Sequence, residues 1–208
     1  LFFKFSFHYL ELKRLNKMDE FFRNIDKIRS AGCSFTLELT PSDEIIPYID
    51  DIIALSKEKV GAICHVTIAR KDFDPQIGIL SKYSIEDYKK IWEKFNSPLF
   101  EFKLPYYYKK RKEFCYAGEW SLILNIGTGD INQCHGGCSL GNIYEDINKP
   151  IKFLPIGCNC KMPHCFNAHS FLSFGDIPEL DTPTQYILRN RVCDDGSEWL
   201  TPTFKNFF

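Results

Sequence analysis

Residues 33–40 read CSFTLELT. Phe35, Leu37 and Leu39 alternate with Thr36, Glu38 and Thr40, the period of two that sends successive side chains to opposite faces of a β-strand. The same alternation recurs on both sides. In FFKFSFH (2–8), Phe3, Phe5 and Phe7 oppose Lys4, Ser6 and His8. In AICHVTIA (62–69), Val66 and Ile68 oppose His65 and Thr67, and in LFEFKL (99–104), Phe100 and Phe102 oppose Glu101 and Lys103. Four strands are therefore expected.

Helical spacing fills the gaps between them. Met18, Phe21, Phe22, Ile25 and Ile28 follow a capping Asn16 and stop at Gly32. Thr40-Pro41-x-Asp43 resembles a helix start before Ile45, Ile49, Ile52 and Ile53, with Pro47 shifting that start or bending the helix. Ser84-x-x-Asp87 reads as a capping box ahead of Tyr88, Ile91, Trp92 and Phe95. Alternating strands and helices imply parallel strands, either in an open doubly wound sheet or in part of a β/α barrel. Parallel strands buried on both faces are usually apolar throughout. These alternate, so the apolar set is expected to face the helices and the polar set to line a common concavity. A sheet with one wet face, or polar residues only at strand ends, is the other reading.

The chain has 208 residues, 44% of them hydrophobic, and a formal net charge of −1. Such a balance gives no global field for nucleic acid. The basic run Lys109-Lys110-Arg111-Lys112 reads as an exposed linker. No apolar run reaches the length of a membrane span, and Lys4 and His8 break up the opening LFFKFSFHYL, which is not read as a signal peptide. The expected compartment is the cytoplasm, where thiols stay reduced. Leu1, rather than Met, opens the chain inside a strand-like pattern, so a preceding N-terminal part is expected.

From about residue 106 the grammar changes: helical periodicity fades, and Gly, Pro, Asn, Asp and Cys become frequent. EWSLILNI (119–126) reads as a strand with Trp120, Leu122, Leu124 and Ile126 on one face, GTGD as a turn, and INQC (131–134) as the return strand. A last helix is expected over 183–191. Of nine cysteines, Cys33 and Cys64 stand alone in apolar runs, where thiols usually pack. The other seven fall between Cys115 and Cys193, and five of these between Cys134 and Cys165. Clustered cysteines in a reducing compartment point to metal. The C-x3-C at 134–138 and the C-x-C-x4-C at 158–165, flanked by His164 and His169, fit a structural zinc site poorly. An iron–sulfur cluster takes four thiolates from scattered positions. From the residues alone iron–sulfur, zinc, and unliganded or disulfide-bonded cysteines all stay open. Cys115 and Cys134 meet only if the chain folds back at Ala117-Gly118.

Cys115, thirteen residues, Gly129, four residues and Cys134 resemble the C-x9-15-G-x4-C element of the SPASM domains that follow radical SAM barrels. LGNIYEDINKPI (140–151) is similar to the segment after it. The family continues C-x2-C-x5-C-x3-C, whereas this chain has Cys158-x-Cys160-x4-Cys165-x3-His169, a departure that favours a single-cluster, twitch-like arrangement. FKFSFHYLEL…FFRNIDKIRSAG and HVTIARKD…YSIEDYKKIW resemble later strands and helices of a radical SAM partial barrel.

The resemblance implies a partial barrel over 1–106 and a small Cys-rich α+β auxiliary-cluster domain with a β-hairpin over 107–208. It implies an auxiliary [4Fe-4S] cluster on Cys115, Cys134, Cys160 and Cys165, with Cys138 and Cys158 as substitutes or second-site ligands. It places S-adenosylmethionine in the full-length parent, an oxidoreductase whose substrates are peptides, proteins or small molecules and whose electron donor is a flavodoxin or ferredoxin. Neither nucleic acid nor membrane is an expected partner. Ser6, His8, Glu38, Thr67 and Arg70, near strand C-terminal ends, are the expected cofactor or substrate contacts; no catalytic residue is singled out. The family's C-x3-C-x2-C motif is absent: after Cys134 and Cys138 the third thiolate would fall at Gly141. This chain alone is thus expected not to cleave S-adenosylmethionine. The competing readings are a non-catalytic zinc-binding or interaction module on an α/β scaffold, and an α/β enzyme with incidental cysteines.

Overall fold

A computed structural model describes all residues except 72–77, 108–109, 111, 136, 146–147, 163–164, 166–174, 181 and 207–208. His164, His169, Lys109 and Arg111 lie outside the described residues; Lys110 and Lys112 are exposed. The chain divides into two compact units, Leu1–Leu104 with Gln185–Phe208, and Pro105–Thr184. The fold is mixed α/β, with one parallel and one antiparallel three-stranded sheet and no closed barrel among the described residues. No described helix is long and apolar enough to cross a membrane.

In the first unit β1 (Phe2–Ser6), β2 (Ser34–Leu39) and β3 (His65–Val66) run parallel in that order. The register sets Lys4 beside Thr36, Ser6 beside Glu38, and Glu38 beside His65. Paired residues of a parallel sheet share a face, so the polar positions form one surface. A short helix α1 (Tyr9–Arg14) precedes the first crossover helix α2 (Met18–Ser30). Phe5 and Phe7 stand against Phe21 of α2, with ring centroids 6.0 and 5.6 Å apart. The apolar face of β1 is thus the helix-facing one. Phe22 and Ile25 are buried on the same helix, each contributing about 1.5–3 kcal/mol of transfer free energy. Pro47 falls in a 3-10 turn, Asp43–Tyr48, and α3 (Ile49–Val60) begins just after it. In α4 (Ile85–Trp92) the Ser84 hydroxyl accepts a hydrogen bond from the Asp87 amide at 3.1 Å, the expected cap.

The expected fourth strand is a helix. Residues 99–104 fall inside α5 (Pro98–Tyr107). Pro98 suits a first helical turn, and the Ser97 hydroxyl accepts from the Phe100 amide at 3.4 Å. That hydroxyl also accepts from the Val66 amide at 3.2 Å and donates to the Val66 carbonyl at 3.3 Å. It satisfies the edge of β3 where a fourth strand would have paired. Leu99, Phe100 and Lys103 are buried while Glu101 is exposed, a helical pattern.

The second unit carries β4 (Ile123–Leu124), β5 (Asp130–Asn132) and β6 (Ser139–Asn142), antiparallel in that order. The hairpin turn stands where the sequence places it, but the strand expected over 119–126 is confined to Ile123–Leu124, and Trp120, Leu122, Leu124 and Ile126 are all exposed. Gly129, at φ 82°, closes its turn; a Cβ there would lie 2.5 Å from Asn142 Oδ1.

After this unit the chain returns. Residues 185–208, read from the sequence as part of the second domain, belong to the first unit. Here α6 (Gln185–Arg189) is followed by buried Trp199 and Leu200 and by α7 (Pro202–Lys205). The Phe35 amide donates to the Trp199 carbonyl at 3.1 Å, and the Trp199 indole donates to the Val60 carbonyl at 3.0 Å. Trp199 and Phe35 stack at 5.1 Å. These contacts complete the core beside β2, which is why the segment belongs there.

Candidate functional site

Two constellations carry chemistry, one in each unit. In the second unit the backbone from Cys115 to Gly118 pairs with 154–157. The Cys115 amide donates to the Gly157 carbonyl at 3.1 Å, the Gly157 amide returns a bond to Cys115 at 3.0 Å, and the Ile156 and Leu154 amides donate to Ala117 and Gly118 at 3.0 and 3.1 Å. Cys115 is thereby held beside the turn that carries Cys158 and Cys160. Gly118, at φ 98°, then folds the chain back toward the hairpin; a Cβ there would meet the Leu154 carbonyl oxygen at 2.3 Å.

Gln133 closes the arrangement from the other side. Its buried side chain donates to the Leu154 carbonyl at 2.6 Å and accepts from the Cys138 amide at 2.9 Å. The Gln133 amide donates to the Cys138 carbonyl at 3.1 Å, and the Gly137 amide to the Cys134 carbonyl at 3.1 Å. The Cys134–Cys138 turn is therefore tied through one side chain to the strand paired with Cys115. Asp176 supports the back, accepting from the Ser121 hydroxyl at 2.5 Å and, through its carbonyl, from the Tyr116 amide at 2.8 Å.

All nine cysteines are free thiols. Burial pushes the Cys115 thiol up to about 11, and Asp176, Cys134 and Cys160 are near enough to push it further the same way. Cys115, Cys134 and Cys160 thus share one electrostatic neighbourhood. A thiolate-only donor set is what iron–sulfur clusters and many zinc sites take. A bound cation would oppose both the burial and the neighbouring negative groups that keep Cys115 protonated. Among the described residues no three Cys, His, Asp or Glu side chains are gathered closely enough to hold a metal ion as they stand. The thiols suit such a group by donor type, while their placement as it stands does not assemble it. Cys165 is half-buried, and Cys138 and Cys158 are exposed.

The first unit holds the second constellation, on the polar face of the parallel sheet. Glu38 is buried, with its carboxylate 3.0 Å from Lys4 Nζ and 3.5 Å from Arg189 Nη1. Neither contact has hydrogen-bond alignment, so among the described residues both carboxylate oxygens and Arg189 Nε lack a hydrogen bond. The Thr36 hydroxyl donates to the Arg189 carbonyl at 3.5 Å, and the Arg189 guanidinium stands over the Phe2 ring at 5.7 Å. Lys103 of α5, only 6% exposed, donates to the Thr67 hydroxyl at 2.5 Å. Burial lowers the Lys103 ammonium to about 7; Arg70, Lys4 and Arg189 press in the same direction, and Glu38 opposes them.

Of the expected contact residues, Thr67 bonds Lys103, and Glu38 and Arg70 lie within electrostatic range of it. Ser6 is exposed beside Glu38 at the end of β1. His8 points elsewhere, into an open cleft of about 330 Å³ shared with Glu11, Thr40 and Glu44. Sequence reasoning did not single out Lys103, Lys4 or Arg189 as site residues. For Lys4 the signal available was that it opposes phenylalanines in an alternating run; Lys103 lies in α5, where the alternation misled. Nothing local marks Arg189, or Gln133. Comparison with family models, with curated proteins and with solved structures finds no match.

Proposed function

We propose that this chain is the C-terminal portion of a radical SAM oxidoreductase, its first unit the later part of a partial barrel and its second unit an auxiliary-cluster domain. The observation that carries the reading is the shared neighbourhood of Cys115, Cys134 and Cys160, built by the strand pairing at 115–118 and the Gln133 clamp. Those three and Cys165 would hold an auxiliary [4Fe-4S] cluster, with Cys138 and Cys158 as substitutes or second-site ligands. Such a cluster, when bound, supplies electron transfer or structural cross-linking. The chain's own part is to orient Cys115 through its Gly157 pairing, to tie the Cys134–Cys138 turn to the same strand pair through Gln133, and to exclude water from the Ala117 side, which is fully buried. The parallel sheet supports the partial-barrel reading through its polar face, where Glu38, Thr67 and Arg70 stand toward the strand C-terminal ends and would contact cofactor or substrate in the parent.

The test is anaerobic reconstitution of the whole chain with iron and sulfide, in parallel with zinc alone. The expected result is iron with matching acid-labile sulfide, lost in the Cys115→Ser, Cys134→Ser and Cys160→Ser variants and kept in Cys33→Ser. One zinc per chain with no retained sulfide would transfer the site to the zinc-module reading. No metal of either kind would reject both.

A further inference from the structure

A buried carboxylate stands behind the cysteines, and no thiol accounts for it. Asp176 is only 2% exposed. Its backbone carbonyl accepts from the Tyr116 amide at 2.8 Å, which fixes it to the residue next to Cys115. Its side chain accepts from the Ser121 hydroxyl at 2.5 Å. Ser121 is held in turn through its carbonyl, which accepts from the Gly118 amide at 2.6 Å. The carboxylate is therefore clamped to both arms of the fold-back that carries Cys115. Of the three negative groups that press on the Cys115 thiol, Asp176 presses hardest, ahead of Cys134 and Cys160.

Among the described residues Ser121 is the one hydrogen-bond donor to this carboxylate, and no cation offsets it. A buried charge is normally paired or stands beside a metal. Serine supplies a hydrogen bond but no charge. An anion would add to the repulsion, and an apolar group would leave it as it is. A cation on the thiols offsets thiolates and carboxylate together. No three donors converge as they stand, so the carboxylate is not a ligand in this arrangement. Its place is behind the ligands, where a carboxylate orients them and raises their affinity for metal.

We propose that Asp176 is a positioning residue of the cysteine site: held by Ser121 behind Cys115, its fixed negative charge favours a metal centre on the thiols without itself becoming a ligand. This rests on the reading of the cysteines as a metal site, and adds to it a residue that no cysteine spacing marks.

The role has a sign. Without the charge, metal should bind less tightly, and a bound iron–sulfur centre should be easier to reduce, because net charge is one of the terms that set its potential. The probe is cadmium alone, a soft ion suited to thiolates. It is titrated anaerobically into the whole chain against a competing chelator and followed by thiolate-to-cadmium absorption. Asp176→Asn keeps an oxygen for the Ser121 bond and removes the charge; cadmium binding should weaken by about 10- to 100-fold. After reconstitution with iron and sulfide, the same variant should show a more positive reduction potential than the parent. Ser121→Ala removes the bond and keeps the charge. It should bind cadmium nearly as the parent does, an arm that stands even where Asp176→Asn does not fold. Unchanged cadmium affinity or unchanged potential in Asp176→Asn would overturn the proposal. A 10-fold or greater loss in Ser121→Ala would also overturn it, by assigning the effect to packing. A parent chain that takes neither cadmium nor iron would instead reject the metal reading itself, and this inference with it.

Discussion

Lys103→Met should make the protein more stable at neutral pH, and the gain should disappear as the pH rises. In the unfolded chain a lysine titrates near its ordinary value of about 10.4. In the fold the Lys103 ammonium is lowered to about 7. Below pH 7 it is charged in both states, and folding carries the full penalty of burying it, on the order of 4–5 kcal/mol by the spacing of the two values. Between pH 7 and 10.4 the unfolded chain binds the extra proton, so native stability climbs with pH through that window, by up to about 1.4 kcal/mol per unit. Above it the penalty is gone. Methionine has nearly the same volume and no charge, but it loses the bond to Thr67, worth about 1.5–3 kcal/mol for a charged donor. The net at pH 7 is a gain of about 2 kcal/mol, reversing near pH 10.5, where the amine is neutral in the fold, to a loss of about 1 kcal/mol. Urea unfolding of both proteins at several values from pH 6.5 to 10 isolates the difference, because every other group titrates in both. A variant less stable than the parent at pH 7, by an amount that does not change with pH, would mean that Lys103 keeps an ordinary titration. The description of the polar face would then be wrong.

Two further expectations concern the second unit. Gly129→Ala forces a side chain into a left-handed backbone and 2.5 Å from Asn142 Oδ1; a loss of about 1–3 kcal/mol is expected, read as faster amide exchange at Gly129 and Ile143, whose amides close the turn. Gln133→Leu leaves the Cys138 amide and the Leu154 carbonyl without the side chain that joins them; a loss of about 2–3 kcal/mol is expected, with faster exchange at Cys138 and reduced iron retention after reconstitution, whereas unchanged exchange there would remove Gln133 from the site.

The parallel core was legible because period-two alternation over Phe2–Ser6 and Ser34–Leu39 has no helical counterpart, and the register keeps the polar positions together. LFEFKL misled because six residues fit both periods; what decided was Ser97, whose hydroxyl takes the hydrogen bonds a fourth strand would have made. The hairpin alternation gave the turn but not the burial. Trp120, Leu122, Leu124 and Ile126 mark a strand, yet the face they share is exposed. Cys115 and Cys134 required a fold-back at Gly118, and the chain turns there. Glu38, Thr67 and Arg70 were legible as polar residues near strand ends. Arg189 was not, since its place is set by contacts such as that with Thr36, 153 positions away, and no local pattern encodes so distant a partner.

That distant return has a consequence for how the polar face works. The cysteine-bearing unit is an insertion between α5 and α6, and the segment after it supplies Arg189, Trp199 and Leu200 to the first unit. Arg189 does three things at once: it pairs with Glu38, accepts from Thr36 through its carbonyl and covers the Phe2 ring. Replacing a buried ion pair with well-packed apolar groups is often neutral or stabilising, whereas deleting one partner costs about 3–5 kcal/mol. Stability alone would therefore have been served as well by an apolar face. The face instead keeps Glu38, Arg189 and Lys103 buried and, among the described residues, leaves hydrogen bonds unmade at Glu38 and Arg189. The C-terminal segment is thus part of the polar face as well as of the core. A version of the chain ending before Gln185 loses Arg189 and the Trp199 packing together, so it cannot separate the charge cluster from the core. Point changes at Lys103 leave that segment in place and can.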